Sequence, residues 1–143
     1  MDAIKFLLKE HNKVRRIFKD INKKSRRDLT KRKIFKELCH DLIVHETMEQ
    51  KKWYPTLKKN KDLKDTIKHL LSEEKKAAKT IKTFKNIKSP EEWNKKFFEF
   101  KNDVEHHASE EEEKLFPKVK KLFDEAELKK LGKEMYQFKK DNF

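Results

Sequence analysis

A stretch that occurs twice limits what this chain can fold into more than any other feature. His45-Glu46-Thr47-Met48-Glu49 runs on to Trp53-Tyr54-Pro55, and His107-Ala108-Ser109-Glu110-Glu111 runs on to Leu115-Phe116-Pro117. In each copy a glutamate follows the histidine by four residues, and a proline, read as the end of the helix, follows it by ten. Side chains four apart on a helix point the same way, so one imidazole and one carboxylate can reach the same ion.

The chain offers little but helix to carry these motifs. Among 143 residues there is one glycine and there are three prolines, too few to build hairpin turns, so an all-α fold is expected. That length suits a single domain spanning 1–143. A 45% share of charged residues against 34% hydrophobic fits thin amphipathic helices with broad solvated faces.

Apolar residues return at helical spacing in five segments. Asp2 caps a first helix reading to about Lys24, with Ile4, Leu7, Leu8, Val14, Phe18 and Ile21 on one face. After a polar, basic segment from Ser25 to Asp28, Asp28 or Thr30 starts a second helix carrying Ile34, Phe35, Leu38, Leu42 and Trp53, ended by Pro55. The third helix begins near Leu63 and includes Ile67, Leu70, Leu71, Ala77, Ala78, Ile81 and Phe84. Ser89-Pro90-Glu91-Glu92 opens a fourth, with Trp93, Phe97, Phe100, Val104 and Leu115 inward, and Pro117 closes it. Asp124-Glu125-Ala126-Glu127 is a capping box for a terminal helix over 124–140.

Six residues interrupt these stripes: His11, His45, Glu49, Glu74, His107 and Glu111. Each falls near the centre of its helix's apolar face. Carboxylates pointing into a core must be paired, protonated or bound to cations, since an isolated buried charge costs several kcal/mol. Three imidazoles beside three such carboxylates make a metal site the simplest account. Aligning Leu7-Leu8-Lys9-Glu10-His11 with Leu70-Leu71-Ser72-Glu73-Glu74 sets His11 opposite Glu74, so the chain reads as two helix pairs, 1–55 and 63–117. Each pair supplies one ligand from its first helix and a His-x-x-x-Glu pair from its second, which suggests two metal ions bridged by carboxylates.

In this order, with Trp53-Tyr54-Pro55 and Leu115-Phe116-Pro117 closing the ligand helices, the residues resemble the hemerythrin-like HHE cation-binding domain. The resemblance runs from Asp2 to about Phe138 and implies an up-and-down four-helix bundle with a short C-terminal fifth helix. It further implies a non-haem di-iron centre, two iron ions with oxo or hydroxo and carboxylate bridges, and a small ligand such as dioxygen, nitric oxide or peroxide. Members carry or sense dioxygen, respond to iron or nitric oxide, or repair damaged iron centres. Where the family has a third-helix histidine, this chain has Glu74, which as a carboxylate favours an oxidised metal and disfavours reversible dioxygen carriage. Glu74 reads as a direct ligand, an acceptor for a ligand imidazole, or the ion-pair partner of a lysine. His69 lies on the far side of the same helix, and Glu73 falls off its stripe. Three histidines with three glutamates suit iron, with manganese and zinc as weaker alternatives.

Other residues beside the motifs read as surface. Glu46, Glu110, Glu112 and Glu113 form a solvated acidic face, with Glu46 or Glu110 able to swap in if the helix rotates, while His40 and His106 point outward. Tyr54, matching Phe116, reads as packing, with metal coordination or a redox part as its alternative. Cys39, alone, reads as a core-flanking thiol in a reducing cytoplasm.

A formal charge of +13 spread over every segment argues for solvated faces and against a nucleic-acid interface. No stretch suits a membrane span, so a soluble cytoplasmic protein is expected. No recognised catalytic motif decides whether the chain is an enzyme. A di-iron oxidase or peroxide-decomposing enzyme is one alternative reading, and a basic bundle that binds an acidic partner is another.

Overall fold

In the computed structural model, which describes residues 1–23 and 27–143, the chain is an all-α bundle of four long rods with a fifth helix laid across it. The first rod, α1 (Ala3–Ile21), starts where the Asp2 carboxylate accepts the Lys5 N–H at 2.9 Å. Its expected end near Lys24 and the start of the basic link at Ser25 lie outside the described residues. The second, α2 (Asp28–Met48), has Arg27 at its N-cap without a side-chain cap; Asp28 instead holds Arg32 one turn on, at 3.0 Å. Next come α4 (Lys64–Thr83) and α5 (Pro90–Glu110), the latter capped by Ser89 as expected. The terminal helix, α7 (Glu125–Asn142), is 18 residues long against 19 in α1 and begins at the full capping box of Asp124 and Glu127.

Neither Pro55 nor Pro117 ends its rod. A five-residue π-helical turn, Glu49–Trp53 in one rod and Glu111–Leu115 in the other, precedes each proline, and helix resumes as α3 (Tyr54–Leu57) and α6 (Phe116–Leu122). The Tyr54 N–H bonds to the Glu49 carbonyl and the Phe116 N–H to that of Glu111, five residues back. A proline ring clashes with the carbonyl four residues before it in an α-helix, and the wider π turn moves that carbonyl aside. Both turns begin at the glutamate of a His-x-x-x-Glu motif.

Two apolar clusters fill the bundle. One, at the end where α7 packs, is built on Leu7, Met48, Trp53, Leu70, Leu115 and Met135; the other is largely aromatic, with Phe18, Phe35, Phe84, Trp93, Phe97 and Phe100. Cys39 is buried in the second, and burial, with the Glu46 charge adding to it, raises its thiol to about 12. Gly132 lets α7 close on the start of α1: a β-carbon there would meet the Met1 carbonyl oxygen at 2.6 Å. Among the described residues no helix is long and apolar enough to cross a membrane.

Candidate metal centre

The six stripe-breaking residues form one polar layer between these clusters. Glu49 and Glu111 are 0% exposed, Glu74 1% and His11 6%, with His45 and His107 half-buried. His45 Nε2 stands 3.0 Å from Glu49 Oε1, His11 Nε2 3.2 Å from Glu111 Oε1, and His107 Nε2 3.2 Å from Glu74 Oε2. His11, His45 and Glu111 converge tightly enough to hold one ion, and Glu49, His107 and Glu111 to hold another. Glu111 is common to both groups. Glu74 completes neither group and approaches through His107.

A second row of carboxylates orients the imidazoles. Glu112 accepts from His11 Nδ1 at 2.7 Å, Glu10 from His45 Nδ1 at 2.8 Å, and Glu73 from His107 Nδ1 at 3.0 Å. Sequence reasoning assigned Glu112 to a solvated face, set Glu73 aside as off the stripe and overlooked Glu10. It failed because such an acid sits one position beside its own helix's stripe and reaches across to a neighbouring helix. The signal was present: an acid precedes the first-helix position in both repeats, Glu10-His11 and Glu73-Glu74.

Two more acids depart from the solvated face. Glu46 is 9% exposed, and burial followed by the Glu74 charge pushes its carboxyl up to about 8 against the pull of His107. Glu110 is 7% exposed and turns to His69 and His106. Only Glu113 is exposed as expected. Tyr54 also does more than pack: its hydroxyl is 2.6 Å from Glu111 Oε2 and 3.2 Å from Glu74 Oε2.

The halves differ in a coordinated way. Around His11 stand the acceptor Glu112 and the Phe116 ring, stacked on the imidazole at 6.2 Å. Around Glu74, at the matching places, stand Gln50, whose amide donates to Glu74 Oε1 at 3.0 Å, and the Tyr54 hydroxyl. Exchanging an imidazole donor for a carboxylate acceptor is thus matched by exchanging an acceptor for an amide and a bare ring for a phenol.

Both oxygens of Glu49 and Glu111 Oε1 are buried and accept no hydrogen bond among the described residues. Buried acceptors are ordinarily satisfied, so these three need a cation or a proton. With each Nδ1–H given to a carboxylate, a neutral imidazole directs the Nε2 lone pair at another carboxylate oxygen, and two facing lone pairs are stable only with a cation between them. A carboxylate–imidazole–metal chain is how ligand histidines are commonly held. In the metal-free chain protons fill that part: burial opposes charge on His107, yet its bonds to Glu73 and Glu74 raise it to about 10. His11 is raised likewise through Glu111 and Glu112 against its own burial. The donor set therefore fits metal ions.

Residues 2–119 match the hemerythrin HHE cation binding domain. The chain belongs to that family. A crystal structure of a hemerythrin HHE cation binding domain-containing protein from Mycobacterium kansasii, a Rv2633c homolog, shares the fold. Its TM-score is 0.79 at 21% identity, over 99% of this chain and 86% of that one. No curated protein sequence matches. As an HHE domain the chain is a cation-binding module, and its His/Glu clusters could hold a metal ion.

Proposed function

We propose that the chain is a single domain over 1–143 that holds two non-haem iron ions and uses them to bind, sense or react with a small molecule of the dioxygen, nitric oxide or peroxide kind. His11, His45, Glu49, Glu74, His107 and Glu111 are the proposed ligands. The observation that carries this reading is the set of buried carboxylate oxygens left without hydrogen bonds and faced by imidazole Nε2 atoms. Iron held there would supply one-electron redox chemistry and open coordination positions.

The chain's own residues set the terms. A cavity of about 120 Å³ adjoins the layer and reaches His11, His45 and His107; Val14, Leu42, Ala77 and Phe100 line part of it, and Glu46, Glu74, Arg15 and Asp103 are among its charged lining residues. A water molecule's share of the liquid is about 30 Å³, so the cavity admits only a few small molecules. Its apolar stretch beside the imidazoles suits a small uncharged molecule such as a diatomic or peroxide. Glu10, Glu73 and Glu112 hold the imidazoles in one tautomer, and Tyr54 and Gln50 fix the carboxylates Glu111 and Glu74. The additional carboxylate favours an oxidised metal, so sensing, peroxide or nitric oxide chemistry, or iron handling, is preferred to reversible dioxygen carriage.

The test is reconstitution with ferrous iron under argon, followed by air, peroxide and nitric oxide while visible absorption and iron content are recorded. Two irons per chain and a spectral change with at least one of these ligands are expected; less than about one metal per chain sinks the di-iron reading.

A further inference from the structure

Outside the buried layer, α4 and α5 each carry a second histidine–glutamate pair four residues apart: His69 with Glu73, and His106 with Glu110. Three of the four, His69, Glu73 and Glu110, converge tightly enough to hold one ion, and His106 stands beside them on the other oxygen of Glu110. His69 Nε2 lies 3.0 Å from Glu110 Oε2 and 3.5 Å from Glu73 Oε2, while His106 Nε2 lies 2.5 Å from Glu110 Oε1 and 3.8 Å from Glu73 Oε2. Donor atoms around a tetrahedral ion with bonds of about 2.0–2.1 Å are roughly 3.3 Å apart, a spacing that the two His69 distances straddle. Glu110 is 7% exposed although it sits beside imidazoles whose side chains are 58% and 63% exposed, so its carboxylate is held inward beneath two rings open to solvent.

The other repeat shows what these positions do when they are merely structural. By the alignment that pairs His11 with Glu74 and His45 with His107, the counterparts of His69, Glu73, His106 and Glu110 are Phe6, Glu10, Val44 and Met48. There α7 lies over the face: Met48 joins the apolar cluster, Phe6 meets Tyr136 edge to face, and Lys139 of α7 pairs with the outer oxygen of Glu10. Glu10 and Glu73 have the same inner duty, each accepting from a ligand-layer imidazole. On the α4–α5 face the apolar residues are replaced by two imidazoles and a carboxylate, and the outer oxygen of Glu73 faces them in place of a lysine.

We propose that His69, Glu73 and Glu110, with His106 flanking them on Glu110, form an outer site for a divalent transition-metal ion, which takes at Glu73 the place that the Lys139 ammonium takes at Glu10. An imidazole with two carboxylates, and a second imidazole beside them, selects a borderline cation such as zinc(II), cobalt(II) or iron(II) over calcium or magnesium, which prefer all-oxygen shells. The site shares Glu73 with the buried layer, so a metal arriving from solvent stands one carboxylate away from His107.

The proposal stands independently of what the buried layer holds, and the test separates the two. The full chain is titrated with zinc(II) and with cobalt(II), following stoichiometry by calorimetry and elemental analysis and coordination by the cobalt visible spectrum. His69→Ala with His106→Ala, both exposed, should fold as the parent and lose one equivalent of metal together with its cobalt band, whatever the parent's total. Glu110→Gln should weaken the same equivalent at least tenfold. A His45→Ala, Glu49→Ala variant should lose only metal bound in the layer and keep the outer ion. Equal stoichiometry and equal spectra in the parent and the His69→Ala, His106→Ala variant would overturn the outer site without touching the buried one.

Discussion

In the half built on His11, an imidazole is aligned by an acceptor, Glu112, and covered by an aromatic ring, Phe116; in the half built on Glu74, a carboxylate occupies the matching place and is met by two donors, Gln50 and Tyr54. Three positions have changed together, each in the direction that keeps donors opposite acceptors. A glutamate at position 50 would have set a second anion against the buried Glu74, where Gln50 now donates a hydrogen bond. The departure at Glu74 is therefore part of a re-matched neighbourhood, and the two halves can be perturbed separately.

The largest effect is expected at the carboxylate both ion positions share. Glu111→Gln should reduce bound metal to below about one ion per chain, whereas the same change at Glu74, which completes neither position, should spare more of it. Metal content after reconstitution measures this, and equal losses would erase the distinction. Next comes the re-matched trio. Gln50→Glu should lower the melting temperature by placing an acid against Glu74, and Glu74→His in the same chain should recover most of the loss, with a coupling of about 1–3 kcal/mol. Additive effects would show that Gln50 and Glu74 act independently. Smaller again is the loss from the orienting acids: Glu10→Gln should weaken metal binding by about 10- to 100-fold, and Lys139→Met, one contact further out, by less. Competition with a chelator reads both.

How much of this was legible in the sequence follows from where each residue sits on its helix. His11, His45, Glu49, Glu74, His107 and Glu111 stood out because each puts a polar group in the middle of an apolar stripe, which single-helix periodicity detects. Glu10, Glu73 and Glu112 did not, because their duty lies toward a neighbouring helix and their own wheel positions look like ordinary surface. The continuation past Pro55 and Pro117 was hidden for a different reason. Projection at 100° per residue assumes an unbroken α-helix, and the π turns at Glu49–Trp53 and Glu111–Leu115 change both the register and what a proline does there. Gln50 and Tyr54 became readable only once Glu74 was known to need donors.

A further test is a pH dependence that metal should reduce. In the metal-free chain His107 is raised from 6.5 to about 10: burial opposes its charge, but Glu73 and Glu74 overcome it. A group whose folded pKa lies above its unfolded one contributes stability that is fully present below the unfolded value and is lost as pH climbs through the folded one. Metal-free protein should accordingly lose stability between about pH 6.5 and 10, and Glu46, raised from 4.5 to about 8 by burial and by Glu74, adds a loss over its own lower window. At the other end Glu10 is lowered from 4.5 to about 2: burial opposes its charge, but His45 and Lys139 overcome it, so its contribution is present above 4.5 and fades as pH falls toward 2. A bound cation replaces the proton on His107, so that part of the alkaline loss should vanish on metal loading, while the Glu46 loss, which comes first from burial, and the acid-side loss at Glu10, whose outer partner is a lysine, remain. Melting temperatures of metal-free and metal-loaded protein across this range check the pattern, and an alkaline slope that is the same in both would show that proton and metal do not compete for His107.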